Sequence, residues 1–349
     1  MFMTGNEAIA EAAIQAGCRH FFGYPITPQS ELPEYMSKRL PEVGGVFLQA
    51  ESEVAAINML FGAAGAGARV MTSSSSPGIS LMQEGISYLA GAQLPCVIVN
   101  IMRGGPGLGG IQPSQSDYFQ ATKGGGHGDY RLLVFAPHTI QEAVSLTMDA
   151  FDLADKYRNP VMILGDGNMG QMMEPVVFKK NSGLKLPEKQ WALTGAKERP
   201  ANLIKSLYLD PQALEKHNLE INRKIQEMIA NEVRVETYSV EDAEIVIVAY
   251  GTVARIAKTA IRVLRERGFK VGMIRPITVF PFPYSTFEQI NGDLRKFLVV
   301  EMSLGQMVED VKLGVCGKAP VEFYGRTGGV VPTYDEIVTE TERLFKGVP

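Results

Sequence analysis

The stretch PCVIVNIM at positions 95–102 constrains the fold of this chain more than any other, being a strand-length run whose one polar residue is Asn100. An alternating strand leaves one face to water. A continuous apolar run needs both faces covered, which is the habit of a parallel sheet sandwiched between helices. The surrounding sequence supplies the partners. Strands are expected at 20–24, 45–49, 69–72, 131–135 and 160–164, and helices at 6–16, 29–40, 53–65, 79–90 and 140–156, the fourth of these after a break at Pro77–Gly78. Strand alternating with helix is the signature of a doubly wound α/β domain over residues 1–170.

At 349 residues the chain is longer than one ordinary domain of about 100–200 residues. A second α/β unit is expected over 241–349, with strands at 244–250, 270–274, 297–301 and 321–324 and helices at 252–267, 305–315 and 336–345. Between them, 171–240 changes character. Lysine and proline rise, the only tryptophan (Trp191) lies here, and Asp210 followed by Pro211 reads as an N-cap and first helical residue ahead of an amphipathic stretch, 214–233. This segment reads as a connector wrapping the domains together, with arm-like contact to another subunit as the alternative.

Composition excludes several classes. A net charge of −4 is a poor match to nucleic acid, whose phosphates need a lysine and arginine surplus. No run of about 18 uncharged apolar residues suits a membrane span. The opening MFMTGNEAIAEAAIQAG carries Glu7 and Glu11 and lacks a basic start and an unbroken apolar core, so no signal peptide is expected. Cys18, Cys96 and Cys316 lie far apart and form no C-x-x-C, so no iron–sulfur or zinc framework is expected, and a reducing cytoplasm fits. The four histidines (20, 127, 138 and 217) show no metal-ligand spacing.

In an open α/β sheet, ligands bind at the carboxyl ends of the strands. There this sequence places Tyr24-Pro25-Ile26-Thr27-Pro28, then Glu51-Ser52-Glu53, then serines before Pro77-Gly78, then Arg103-Gly104-Gly105-Pro106-Gly107. Hydroxyl, carboxylate and guanidinium groups thus gather on one rim.

The motifs GYPITPQSEL (23–32), ESEVAAINM (51–59), SPGISLMQEGISYLAG (76–91) and NIMRGGPG (100–107) resemble the alpha subunit of the 2-oxoacid:ferredoxin oxidoreductases. The stretch 249–283, AYGTVARIAKTAIRVLRERGFKVGMIRPITVFPFP, resembles that family's second domain. The match covers nearly the whole chain apart from the connector, with its motifs in order. GGPGLGGIQPSQSDY and GGGHGDY are most similar to the branched-chain (2-oxoisovalerate) type, with the 2-oxoglutarate type as near neighbour. The fold this implies is α/β: a thiamine-diphosphate pyrimidine-binding, transketolase-like doubly wound domain followed by a transketolase C-terminal-like α/β domain.

The resemblance implies thiamine diphosphate. The chemistry needs a rigid, buried carboxylate at N1′ of the aminopyrimidine ring. Glu53 matches the family's glutamate; with Ser52 as N-cap it starts a helix whose dipole favours its anion. The plainer role for Glu53 is a helix-start charge, and Glu51 is expected to be structural or solvent-exposed. Arg103 and Thr27 resemble the substrate-binding residues: a guanidinium can fork onto the carboxylate of a 2-oxo acid, and a hydroxyl can complete the cradle. Against this, Arg103 could form a strand-end salt bridge and Thr27 a simple turn. The glycines at 104, 105, 107 and 109 suit close backbone approach to a ligand or another chain. Tyr24, Pro25, Ile26, Ser76 and Pro77 are the remaining expected coenzyme contacts. His127, in a glycine loop, stands outside this set. Gly251-Thr252 could receive an anion at a helix N-terminus, although capping is simpler.

Thiamine enzymes hold Mg²⁺ and the diphosphate through G-D-G followed by asparagines. Here Gly165-Asp166-Gly167 is present, but WALTGAKERP (191–200) supplies no asparagine, so these residues read as a strand-end turn rather than a metal site. The resemblance then implies a beta subunit for the diphosphate and metal, iron–sulfur clusters on partner chains only, gamma and delta subunits, ferredoxin, CoA, and dimers of the heteromer. Residues 108–118 are expected to line the substrate side-chain pocket; they contain no basic residue, which suits an apolar side chain. The rivals are a transketolase-like transferase, which would use several rim histidines absent from the loops before 110, and a non-catalytic scaffold, which would need none of Glu53, Thr27 and Arg103.

Overall fold

A computed structural model of the chain describes residues 1–179, 188–289 and 296–347. Its larger sheet has seven strands in the order Thr278–Phe280, Leu133–Phe135, Pro160–Asp166, Cys96–Met102, Val70–Ser74, His20–Gly23 and Val46–Gln49. All pairings are parallel except the first. Cys96–Met102 and Pro160–Asp166 are buried at every position. The reason lies in the alternation of side chains across a strand. Val97, Val99 and Ile101 enter a core with the helices Gly5–Gln15, Glu31–Glu42 and Ile140–Tyr157. Cys96, Ile98 and Met102 enter a second core with the helices Glu53–Gly65 and Ser76–Gly91.

The second sheet runs Val321–Gly325, Lys296–Glu301, Ile245–Val248, Val271–Pro276, Val235–Tyr238, the last strand antiparallel. Val246, Val248, Ile274, Phe297 and Val299 belong to the same core as Ile98 and Met102, so apolar packing is continuous between the two sheets. Its other face is covered by the helices Gly251–Glu266 and Tyr334–Phe345.

Several features differ from the sequence expectation. Four strands, Phe2–Thr4, Met173–Pro175, Val235–Tyr238 and Thr278–Phe280, carry no readable signal because each has only three or four residues and pairs antiparallel at an edge. Thr278–Phe280, from the later half of the chain, completes the first sheet, whereas Val235–Tyr238 completes the second. Pro77–Gly78 is not a break: the helix begins at Ser76 with the proline in its first turn, where its missing N–H would be unpaired anyway.

In the connector, Asp210 accepts from the Gln212 and Ala213 amides and starts the helix Pro211–Asn231. Its stripe Ile221, Ile225 and Met228 packs into the core beneath the first sheet. Arg158 lies over the Trp191 ring at 4.5 Å, and the Leu193 amide donates to the Gly65 carbonyl at 2.9 Å. No described helix is long and apolar enough to cross a membrane.

Candidate functional site at the strand ends

The loop after His20–Gly23 is pinned at Pro28, whose carbonyl accepts from Asn6 Nδ2 at 3.0 Å and Gln171 Nε2 at 3.1 Å. Ahead of that anchor, Tyr24, Pro25 and Thr27 are exposed and Ile26 is half-buried. A short apolar platform therefore faces outward from a fixed base.

After Val46–Gln49 the chain reaches Ser52, whose Oγ accepts the Ala55 amide at 3.1 Å and caps the helix Glu53–Gly65. Glu53 is its first residue and is only 6% exposed, whereas Glu51 is exposed. The Glu53 carboxylate lies against the next strand end. A β-carbon on Gly78 would overlap Ser74 Oγ and come within 2.6 Å of Glu53 Oε1. Only glycine fits there, so the helix start at Ser76 can approach the acid closely. Ser74 Oγ and Ser75 Oγ are buried with no hydrogen-bond partner. Unsatisfied buried hydroxyls are costly, and a polar ligand would satisfy them.

Arg103, at the end of Cys96–Met102, is 8% exposed. Its Nη1 donates to the Thr27 carbonyl at 3.0 Å and its Nη2 to the Leu108 carbonyl at 3.3 Å, while Nε is buried without a partner. Arg103 is thus no surface salt bridge, and it meets Thr27 through the backbone rather than the hydroxyl. Ser76 Oγ accepts the Arg103 amide at 3.0 Å and donates to Asp117 Oδ2 at 2.6 Å. Asn100 Nδ2 donates to the same oxygen at 2.9 Å. Burial pushes the Asp117 carboxyl up, opposed by these two hydrogen bonds.

The structure therefore gathers Thr27, Glu53, Ser76, Pro77 and Arg103 on one rim, with Tyr24, Pro25 and Ile26 beside them. Sequence reading put Ser74–Gly78 on this rim, able to touch the pyrimidine or a neighbouring loop, but it did not reveal the close packing of Gly78 on Glu53, and it missed Asn100 and Asp117. Gly78 sits inside a motif taken for a helix break. The other two act only through contacts between residues 17 to 41 positions apart.

Other expectations are corrected. A β-carbon on Gly104 would lie 3.4 Å from the Gly329 amide, so its close approach is to the second unit of this same chain, and one on Gly109 would overlap the Gly104 carbonyl. A β-carbon on Gly105 or Gly107 would meet no atom of this chain within 4 Å, which leaves room for the expected ligand or other chain. Tyr118, expected at the substrate pocket, is fully buried and donates to Asp310 at 2.7 Å. Gln115 is equally buried, donating to the Tyr250 carbonyl at 2.9 Å and accepting the Met302 amide at 3.0 Å. Leu108 and Ile111, by contrast, are 83% and 55% exposed.

His127 is exposed and meets Tyr88 edge-on at 6.0 Å. Asp166 caps the short helix Gly167–Gln171, accepting from the Asn168 and Met169 amides at 3.0 and 3.2 Å. Its Oδ2 also faces the start of Gly251–Glu266, 3.8 Å from where a Gly251 β-carbon would sit. The acid that faces that helix N-terminus is this chain's own aspartate. Burial raises its pKa, against hydrogen bonds from Thr252, Met169 and Asn168.

The pyrimidine half of thiamine diphosphate fits the donors present: a buried carboxylate, orphaned hydroxyls and an exposed apolar platform. Asp166, the acid of Gly165-Asp166-Gly167, is engaged through Oδ1 in helix capping. Among the described residues no three His, Cys, Asp or Glu side chains converge on a metal position. A groove of about 740 Å³ lies elsewhere, between the Pro211–Asn231 helix, Arg131 and Phe280; no candidate site residue lines it.

The architecture is that of thiamine-diphosphate-binding proteins of transketolase type. A split-gene transketolase superposes with a TM-score of 0.62 at 14% identity, over 99% of this chain and 98% of that one, a likeness of fold alone. Residues 11–240 match the family model described as pyruvate flavodoxin/ferredoxin oxidoreductase, thiamine diphosphate-binding, and residues 243–337 match pyruvate:ferredoxin oxidoreductase core domain II.

The chain belongs to the 2-oxoacid:ferredoxin oxidoreductase family, as an alpha-type subunit. It is 54% identical over 327 residues to the ketoisovalerate oxidoreductase subunit VorB of Methanothermobacter marburgensis, covering 94% of this chain and 93% of that one. It is 38% identical to the 2-oxoglutarate synthase subunit KorA of Methanocaldococcus jannaschii, covering 96% and 97%. A 2-oxoglutarate:ferredoxin oxidoreductase from Magnetococcus marinus, solved with 2-oxoglutarate, coenzyme A and succinyl-CoA, superposes with a TM-score of 0.85 at 27% identity. This chain covers 65% of that chain's length.

Proposed function

We propose that this chain supplies the pyrimidine- and substrate-carboxylate-binding half of an enzyme that oxidatively decarboxylates a branched-chain 2-oxoacid, 2-oxoisovalerate. The products are the acyl-CoA, CO₂ and reduced ferredoxin, with two electrons and one proton released per turnover. The observation that carries this reading is Glu53, a carboxylate buried at a helix start against Gly78 and Ser74, on the rim that also holds Arg103. Glu53 holds a proton at the pyrimidine N1′. Its position on the first turn sets it at the positive end of the dipole of Glu53–Gly65. Tyr24, Pro25 and Ile26 flank the ring, and Ser76 and Pro77 border it. Arg103 Nε, buried and unpaired, is the donor left for the substrate carboxylate, while its two other nitrogens keep the Thr27 and Leu108 loops in place. Thr27 closes the cradle. When bound, the coenzyme supplies the carbon nucleophile and electron sink for decarboxylation.

Exposed Leu108 and Ile111 suit an apolar side chain, and the VorB relatives are named for ketoisovalerate. A beta subunit holds the diphosphate and Mg²⁺; gamma and delta subunits and iron–sulfur clusters on partners carry electrons to ferredoxin. The working unit is a cytoplasmic heteromer that pairs into dimers. Within this chain we read residues 1–170 and 241–349 as the two domains and 171–240 as the connector wrapping them.

The test is co-expression with the partner chains and a panel of 2-oxoisovalerate, 2-oxoglutarate, pyruvate and indolepyruvate, with viologen as acceptor. Turnover greatest on 2-oxoisovalerate is expected. Glu53→Gln should lose roughly 10²–10⁴-fold in kcat, the usual worth of a positioned proton-transfer group. Full activity in that variant would remove the mechanism.

A further inference from the structure

We propose that Asp117 is a positioning residue, fixing the Arg103 guanidinium and the Glu53 carboxylate relative to each other; this rests on the reading that those two groups meet substrate and coenzyme. Asp117 immediately precedes the helix Tyr118–Lys123, where an aspartate would ordinarily cap its own helix, yet it makes no such bond. Its Oδ2 turns instead to Ser76 Oγ at 2.6 Å and Asn100 Nδ2 at 2.9 Å. These donors belong to different elements. Asn100 lies in the strand that delivers Arg103. Ser76 begins the helix whose Gly78 touches Glu53, and its hydroxyl oxygen also accepts the Arg103 amide at 3.0 Å. One carboxylate oxygen therefore ties the strand end carrying the guanidinium to the helix start that abuts the acid.

The tie has a firm base. Next to Asp117, the Tyr118 hydroxyl donates to Asp310 at 2.7 Å and the Phe119 amide to Gln306 Oε1 at 2.8 Å, both in the second unit. Without Asp117, Ser76 and Asn100 lose their shared acceptor inside a buried region, and the two rim elements are free to drift apart. An isosteric asparagine restores neutral hydrogen bonds of about half the strength.

The experiment uses the assembled heteromer with Asp117→Ala, Asp117→Asn and Ser76→Ala. It measures KM and kcat for 2-oxoisovalerate, calorimetric affinity for the unreactive analogue 2-hydroxyisovalerate, and Tm. Asp117→Ala should raise both KM and the analogue Kd about ten- to a hundredfold, the effect of misplacing a binding group. Asp117→Asn should recover to within about tenfold of wild type. Ser76→Ala, which cuts the helix-start arm of the tie to Asp117 and to the Arg103 amide, should raise both KM and the analogue Kd. A merely structural Asp117 would lower Tm and leave KM and the analogue Kd alone, and that result overturns the proposal. If Asp117→Ala does not assemble, Ser76→Ala decides: KM and Kd within twofold of wild type overturn it. Wild-type heteromer inert toward every 2-oxoacid defeats the functional reading itself; active wild type with unchanged variants defeats this inference alone.

Discussion

Gly78→Ala tests the site most sharply, because alanine is otherwise welcome there. Position 78 has an ordinary helical backbone, and in a helix alanine is preferred to glycine by about 1 kcal/mol. The added methyl, however, overlaps Ser74 Oγ and stands 2.6 Å from Glu53 Oε1, where ordinary contact begins near 3.4 Å. Both neighbours must move, Ser74 Oγ by more than an ångström and Glu53 Oε1 by nearly one. Ser74 Oγ has no hydrogen-bond partner and can turn away, but Gly78 lies on a helix whose Ser76 is tied to Asp117, so the carboxylate must yield as well. Overpacking of this kind costs about 1–3 kcal/mol, which the propensity gain partly offsets, leaving a net loss of about 0–2 kcal/mol. A displacement near 1 Å at a reacting group costs on the order of 10²-fold in rate. The variant should therefore be nearly as stable as wild type by denaturant titration yet about a hundredfold slower in viologen reduction by the assembled enzyme. Unchanged turnover in a folded Gly78→Ala enzyme would refute the placement of Glu53 at the reacting ring.

Arg103→Lys keeps the charge but loses the fork to the Thr27 and Leu108 carbonyls, so KM for the 2-oxoacid should rise at least about tenfold; steady-state kinetics read it. Burial pushes the Glu142 carboxyl up, but hydrogen bonds from His138 and Arg275 outweigh it and hold the pKa near 2. A depressed acid contributes stability above its ordinary value that fades as pH falls from about 4.5 toward 2, here on the order of 3 kcal/mol; denaturation midpoints should drop over that window in wild type and less in Glu142→Gln. Lys224 is pushed down to about 8 by burial, helped by Arg158. Its charge opposes folding below that pH, so stability should rise between about 8 and 10.5, and Lys224→Met should raise the unfolding free energy from urea titration at pH 7 by about 1–2 kcal/mol after losing the bond to the Arg158 carbonyl.

Legibility tracked the range of the interaction. Ser52 and Glu53 could be read as a helix start because capping is a contact across three residues, and the structure has that cap. Thr27 and Arg103 fell on the correct strand ends. What escaped was the mode of their meeting, carbonyl to guanidinium over 76 positions, and the carboxylate of Asp117 joining two elements. Tyr118 and Gln115 were misread as pocket residues since nothing local reveals that the second unit docks over them.

By itself the sequence determined the layered α/β plan. Unbroken apolar strands such as 96–102 can be satisfied only between two helix layers, and helix starts are written in neighbouring side chains. Tertiary structure decided which short segments close each sheet: Thr278–Phe280 crosses to the first and Val235–Tyr238 to the second. It also decided that Gly78 must lack a side chain and that Asp166 caps the helix Gly167–Gln171. Edge pairing, close approach and buried charge depend on residues far apart in the chain meeting in space, and no periodicity in a linear string encodes such meetings.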